Sequence, residues 1–480
     1  ATENDEGQNA NQYAVTSPKI TDQTSNFLSF YATASYIYDN RYAFNASIRS
    51  DASNRFGQDK RTRYQPVWSV GLRWNMSREH WLDGQDLLND VSFQVSYGYQ
   101  GNAAENVGPD LITSIPSSGG IDDKTGKYVL NVKTLPAPGL TWEKTKTVNT
   151  GLDFSILHNK INLSFNYYYK RTVDMIVYKN VPYENGVTSM AINGGNMTNS
   201  GWDMAVSFVP VRTKDFVWSV GANFSKNYNK IKSTLEDKDD WKTAVSGSLN
   251  RKGYPVSGFW VFGFNGLNPE NGAPDIDLSG VENEAAIRDV TQYMQYAGKL
   301  EPDFSTGINM NFRYRSLTLG TSFYLSLGAK KLLAPLYDEE NFNLAVSEYN
   351  NLSKDMVKRW RKKGDEATTK IPSIPDMFKN EGIKPFGNDR YDYQLYPYEM
   401  YNYSSARVVN ASYLRCNNIS LSYNVPQKWI EQFAQSVSFS FVVSNPFQIV
   451  SKDYKGVDPE VAMGNQPLSK TYTFSLNVSF

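Results

Sequence analysis

The chain has 480 residues, 49 Lys plus Arg against 49 Asp plus Glu, 2 His and 1 Cys. Zero net charge argues against a phosphate-reading nucleic-acid binder, and the single cysteine excludes a disulfide framework or a Cys-based zinc site. Aromatic residues make up 14% of a chain whose mean hydropathy is −0.52, and no run of 18 apolar residues occurs. No transmembrane helix is therefore expected, whereas a β-barrel, which hides its apolar surface in every second residue, stays open.

Residues 1–25 are hydrophilic and read as an extracellular loop or leading segment, and residues 1–12 carry no signal-peptide core. From residue 26 onward the dominant signal is alternation at period 2. Candidate strands lie at 30–38, 42–49, 67–76, 91–100, 147–155, 161–170, 173–178, 201–208, 216–225 and 257–264, then at 304–314, 317–326, 413–425, 437–444 and 472–480. In 91–100, Val91, Phe93, Val95, Tyr97 and Tyr99 share one face, opposite Ser92, Gln94, Ser96, Gly98 and Gln100. The segments 161–170 and 216–225 repeat the pattern. Their lengths approach the ~9–11 residues that cross a bilayer on a tilt, and exceed the ~5–6 of an average soluble strand.

Tight turns at 39–41, 158–160, 210–215 and 315–316 alternate with long connections at about 101–142, 226–255, 265–303 and 328–404. Short turns at one end and long loops at the other are the habit of outer-membrane barrels. The charged stretch 355–363 reads either as a short helix or as a solvated face. Aromatics near strand ends, among them Trp68, Trp74, Tyr97, Tyr99, Tyr167, Tyr169 and Trp202, suit interfacial girdles. The chain stops on Phe480, the last of the alternating series Tyr472, Phe474, Leu476, Val478, Phe480. The expected fold class is all-β, a transmembrane antiparallel β-barrel.

Enzymatic readings fail on inventory. His80 and His158 sit in or near turns, and Cys416 reads as a small packing residue inside a strand. The carboxylates Asp239 and Asp240 are adjacent and solvated, and no nucleotide-binding motif occurs. The expectation is no catalytic residue.

Several stretches resemble the carboxy-terminal part of a SusC/RagA-type TonB-dependent outer-membrane transporter of Bacteroidetes. They are YAFNASIRSDASNRFG at 42–57, PVWSVGLRW at 66–74, LTWEKTKTVNTGLD at 140–153, NYYYKRTVD at 166–174 and INGGNMTNSG at 192–201. ASYLRCNNISLSYNVP at 411–426, YKGVDPE at 454–460 and PLSKTYTFSLNVSF at 467–480 complete the series in family order. The resemblance implies the later strands of a 22-stranded plugged TonB-dependent barrel. Plug, TonB box and leading strands are not among these residues, and period-2 counting gives roughly 13 to 15 strands.

The resemblance also implies import rather than catalysis. The cargo would be oligosaccharide, with peptide as the alternative. The partners would be the remainder of the transporter, a SusD-like surface lipoprotein, the TonB complex acting through the plug, and membrane lipid. Two readings of another class stand beside it: a cell-surface structural or carbohydrate-binding β-protein that transports nothing, and a passive porin-like channel.

Candidate site residues follow. Tyr391, Tyr393, Tyr396, Tyr398, Tyr401 and Tyr403 form a tyrosine-rich loop that can meet a ligand, meet the lid protein, or brace the loop itself. Arg49 and Arg73 fall on the polar faces of their strands, facing a lumen or plug carboxylates. In the loop after Phe264 the family's calcium-like run is only partly kept. Asp275, Asp277 and Glu282 are the candidate Ca²⁺ ligands there, without the oxygen spacing of an EF-hand, and no other cofactor is expected. At 445–447 the family's Asn-Leu-Phe is Asn445, Pro446, Phe447, and because proline cannot donate to a ladder the strand is expected to end at Ser444.

Overall fold

A computed structural model describes residues 27–53, 64–82, 84, 87–102, 111–115, 121, 125–137, 139–233, 240–280, 289–337, 352–383, 395–454, 457–461 and 466–480. The strands, in chain order, are β1 (Phe27–Tyr38), β2 (Tyr42–Ser53), β3 (Tyr64–Asn75), β4 (Leu88–Asn102), β5 (Ile112–Ser114), β6 (Asn131–Thr134) and β7 (Glu143–Ile156). Next come β8 (Ile161–Asn180), β9 (Ser189–Arg212), β10 (Phe216–Ser233), β11 (Gly258–Leu267), β12 (Pro274–Asp277) and β13 (Met294–Lys299). The last are β14 (Phe304–Tyr314), β15 (Leu317–Leu327), β16 (Lys330–Leu332), β17 (Val408–Asn410), β18 (Tyr413–Asn424), β19 (Ser436–Val450) and β20 (Thr471–Ser479).

Thirteen of these form one antiparallel wall in the order β1-β2-β3-β4-β7-β8-β9-β10-β14-β15-β18-β19-β20. Among the described residues β1 and β20 each have one neighbour and do not pair with each other, so the wall is open at both edges. A closed barrel of 22 strands is thus not what these residues form by themselves.

The registers explain why alternation was so regular. Tyr36 pairs with Phe44, Phe44 with Leu72, Leu72 with Val95, and Phe93 with Leu152. The same face continues through Phe165, Met204 and Phe224, then Phe312, Leu319, Leu421, Phe441 and Phe474. One apolar stripe therefore crosses the whole wall. Many of its members, such as Leu72, Leu421, Phe441 and Phe474, stay exposed. An apolar surface of that extent needs an apolar surrounding.

The opposite face is polar along the same ladder. Arg73 lies opposite Gln94, Gln94 opposite Gly151, Gly151 opposite Asn166 and Asn166 opposite Asp203.

Local chemistry sets the ends. At the tight-turn end the links are 39–41, 157–160, 213–215 and 315–316, with two longer links at 76–87 and 425–435. Asp39 and Asn40, at φ 51° and 52°, take the left-handed conformation that two-residue hairpin turns require, and Arg41 N–H closes on Tyr38 O at 3.0 Å. At the same end Glu79 is buried and accepts from Tyr42 Oη (2.6 Å), Trp74 Nε1 (2.9 Å) and Arg41 Nη1 (3.3 Å).

Several expectations need correcting. The candidate strand 257–264 is not in the wall: β11 is the middle strand of a separate three-stranded sheet, β12-β11-β13. Its run Phe259, Trp260, Val261, Phe262 is fully buried, so it has no polar face to offer a lumen. The segment 173–178 is no separate strand but the continuation of β8 past an irregularity near Asp174, which has φ 56°. The candidate strand 201–208 is longer than expected: β9 starts at Ser189, so the Asn-rich stretch 192–201 lies within it. Residues 355–363 hold only a 3-10 turn at Lys354–Lys358.

β19 does not stop at Ser444. Asn445 and Pro446 stand together opposite Asn417 in a bulge, with Cys416 paired to Phe447 and Asn418 to Ser444. The bulge is where a missing proline N–H costs no ladder bond. Asn445 adopts φ 51° there and donates its side-chain amide to Ser469 O at 3.2 Å.

Candidate functional site

Among the described residues, the two largest packed cores lie at the long-loop end. In the first, the helix Trp241–Ser246, β11, and the helix Pro397–Asn402 bring together Trp241, Trp260, Phe262, Val290, Leu395 and Met400. Gly247 ends the first helix at φ 76°, a conformation that suits glycine. In the second, Leu336, Tyr337, Met356, Tyr398 and Tyr401 pack together, with Tyr337 edge-on to both Tyr398 (4.9 Å) and Tyr401 (5.9 Å).

Polar groups tie this second core. Asn402 accepts from Leu336 N (3.0 Å) and Tyr337 N (3.3 Å) and donates to Tyr337 O (2.8 Å). Tyr337 Oη donates to Pro372 O at 2.9 Å, and Ser373 Oγ lies 3.0 Å from Tyr398 Oη. Burial pushes the Tyr398 and Tyr401 hydroxyls up to about 12.

Of the three readings of the tyrosine-rich loop, these positions favour bracing for two of its members. Tyr398 and Tyr401 are each 1% exposed and brace the loops from within the core, and Tyr401 also lines a neighbouring cavity. Tyr403 is half-buried against Trp241 (5.4 Å), and Tyr396 is half-buried where the helix begins. Tyr391 and Tyr393 lie outside the described residues.

The two arginines sit on the polar wall face and find partners within it. Arg49 pairs with Asp51 through Nε at 2.5 Å and donates to Ser29 Oγ at 3.1 Å. Arg73 donates to Asn75 Oδ1 (3.1 Å) and Ser92 Oγ (2.8 Å), with the Asp153 carboxylate at 3.6 Å. Both therefore have partners without any plug, although each keeps exposed surface.

Asp275 and Asp277 lie on one face of β12, where Asp277 Oδ1 accepts from Ser279 Oγ (2.6 Å) and Ser279 N (3.0 Å). Those bonds hold the Asp277 carboxyl below the usual range. Glu282 lies outside the described residues, and no group of three potential metal ligands occurs among them.

One buried cluster escaped the sequence reading. Arg415 on β18 and Asp458 in the β19–β20 loop pair with side chains 5% and 1% exposed. Glu460 Oε2 lies 3.0 Å from Arg415 Nε, without the alignment of a hydrogen bond, and Glu460 Oε1 accepts from Tyr413 Oη at 2.6 Å. Asp458 also accepts from the backbone N–H of Glu460 and of Leu468, each at 3.1 Å. Burial pushes its carboxyl up, but these N–H groups and Arg415 outweigh burial and leave it below the usual range. The cluster clamps the loop to the wall. Its signal was an arginine on the polar side of a strand and a DPE run 43 residues later, with nothing local to join them.

The polar wall face also has two recesses. One, of about 280 Å³, is lined by Asn166, Asp203, Asn223, Ser225 and Tyr324 among others. The other, of about 470 Å³, includes Asn45, Arg73, Gln94, Ser96 and Asn149. Carboxylate, amide and hydroxyl groups there can exchange hydrogen bonds with a polar solute.

An open antiparallel wall, apolar on one side and polar on the other, is the geometry of a barrel segment. Residues 2–445 match the family of TonB dependent receptor-like β-barrels. The chain belongs to that family.

Its curated relatives include the TonB-dependent receptor SusC of Bacteroides thetaiotaomicron, 26% identical over 96% of this chain and 45% of that protein. Another is the TonB-dependent receptor P3 of Formosa agariphila, 24% identical over 96% of this chain and 47% of that protein. Among solved structures, the RagAB peptide importer in its closed-closed state superposes with a TM-score of 0.75 at 22% identity. That superposition covers 95% of this chain and 48% of the importer chain. The chain thus spans about half the length of the relatives it matches. Homology to SusC/RagA-type transporters places it in the outer membrane, and its reading as a non-enzyme rests on this membership.

Proposed function

We propose that this chain forms the later strands of a 22-stranded, plugged TonB-dependent transporter that imports oligosaccharides into the periplasm. The observation that carries the reading is the thirteen-strand wall, largely apolar on one face and, among the described residues, unpaired at the outer edges of β1 and β20. In lipid, an unpaired edge amide costs several kcal/mol, so both edges require partner strands. The remainder of the transporter supplies them together with the plug. A SusD-like lipoprotein closes the long-loop end, and the TonB complex acts through the plug.

The glycan reading follows the sequence resemblance to SusC/RagA-type proteins. Peptide cargo is the alternative that similarity to the RagAB peptide importer supports. The domain division, with a leading segment at 1–25 and wall strands with their loops over 26–480, belongs to the same proposal. A passive channel formed by this chain alone would need β1 to meet β20, and no such pairing exists among the described residues.

The test is uptake of labelled oligosaccharides and peptides by host cells with and without the complete transporter, before and after TonB is inactivated. The expected result is one cargo class whose uptake needs both. Uptake unaffected by TonB would refute the energised mechanism.

A further inference from the structure

Beside the second loop core lies a cavity of about 670 Å³, within the size range of small-ligand sites. Lys358, Arg359, Arg361, Lys370 and Arg407 line it, against two carboxylates, Asp365 and Asp453. In a chain of zero net charge this is a local segregation of cations. Five cations outnumber the two carboxylates. Asp365 Oδ2 is occupied by the backbone N–H of Arg361 (3.0 Å) and Lys362 (3.1 Å).

The cations themselves are little used. Arg359 Nη1 donates to Met356 O (3.0 Å) and Arg361 Nη2 to Val357 O (2.8 Å). Among the described residues neither they nor Lys358 and Lys370 form an ion pair. Arg407, whose side chain is 5% exposed, donates to Ala334 O and stands 3.9 Å from Asp355, while its Nε has no hydrogen-bond partner. Asp355 at 3.9 Å offsets part of the Arg407 charge, and a further anion is favoured where five cations line one cavity. Such a cluster is the usual receptor for a carboxylate.

We propose that this cavity binds a carboxylate group on the oligomer that the transporter takes up. The site lies at the long-loop end, lined mostly by the connection between β15 and β18. The inference rests on the transporter reading for the identity of the ligand, but not for the binding itself. Acidic sugars and acidic peptides both present the required group.

The experiment is calorimetric titration of the complete transporter, purified in detergent, with trigalacturonate and with tetraglutamate. Maltotriose and tetraglycine serve as neutral controls. The expected result is saturable binding of at least one acidic probe, weakened at least tenfold by Lys358→Gln/Arg361→Gln/Lys370→Gln. Those three side chains are exposed, so the change leaves the loop cores intact. The charge-matched control Lys354→Gln/Lys362→Gln/Lys363→Gln, whose positions do not line the cavity, keeps the binding.

Which acidic probe binds distinguishes a sugar source from a peptide source. Binding of neither, or equal binding by both triple variants, would overturn the proposal. The assay reads binding to purified protein, so a failure of TonB-driven uptake leaves its outcome unaffected.

Discussion

Replacing Asp458 by alanine strands the positive charge of Arg415. Both side chains are almost wholly buried, at 5% and 1% exposure. Breaking a buried pair from one side costs about 3–5 kcal/mol, because the remaining charge has no water to return to. Glu460, 3.0 Å from Arg415 Nε, remains and favours the lower end of that range. The loss falls on the loop that the cluster clamps rather than on the wall, since local opening has its own free energy.

Hydrogen exchange in the complete transporter measures this opening. The amides of Tyr454 and Val457, which donate to Ser451 O and Tyr454 O, should exchange about a hundredfold faster, the equivalent of ~3 kcal/mol. Asp458→Asn keeps an acceptor for the Glu460 and Leu468 amides and should fall between the two. Acceleration below about threefold in Asp458→Ala would refute the clamp. The pH dependence has a definite sign. The Asp458 carboxyl is depressed when folded, so its contribution is present above the unfolded value of ~3.9 and is lost as pH falls through the folded value.

Three further outcomes are expected. Phe441→Arg, on the apolar stripe, should cost ~2–4 kcal/mol in urea titrations of liposome-inserted protein. Ser440→Arg on the polar face should stay within ~1 kcal/mol, and equal costs would invert the assigned faces. Tyr398→Ala should destabilise the loop core by ~3–5 kcal/mol and Tyr398→Phe by only ~1 kcal/mol, read as protease susceptibility of the loops. A large effect of the phenylalanine would shift the role of Tyr398 from packing to its hydroxyl. Glu79 is held below the usual carboxylate range by the Tyr42 hydroxyl, the Trp74 indole and Arg41. Its stabilisation is therefore present above the unfolded value and lost as pH falls through the folded one. Thermal melting should separate wild type from Glu79→Gln at pH 7, with the gap closing in acid.

The wall was readable because its strands are half polar. Where a strand meets a wet face and an apolar one, alternation is compulsory, and Phe441 with Ser440 shows it as clearly in sequence as in space. The same rule misplaced β11, whose Phe259 to Phe262 run is apolar on both faces because both are covered by loops. Pro446 misled for a different reason: a bulge absorbs the missing N–H, and bulges leave no periodic mark.

The site was less legible. Tyrosines look alike in sequence whether they are exposed or, like Tyr398 and Tyr401, locked inside. The Arg415–Asp458 pair and the cation cluster around Arg407 join residues from separate connections, which only the folded loops bring together.

We propose that further strands and a plug complete this wall. Mass spectrometry of the detergent-solubilised outer-membrane species that carries this sequence tests it directly. Peptides from a plug and from leading strands are expected in that species, on the same polypeptide or on one that co-purifies. A detergent-stable, heat-modifiable monomer made of these 480 residues alone would contradict it.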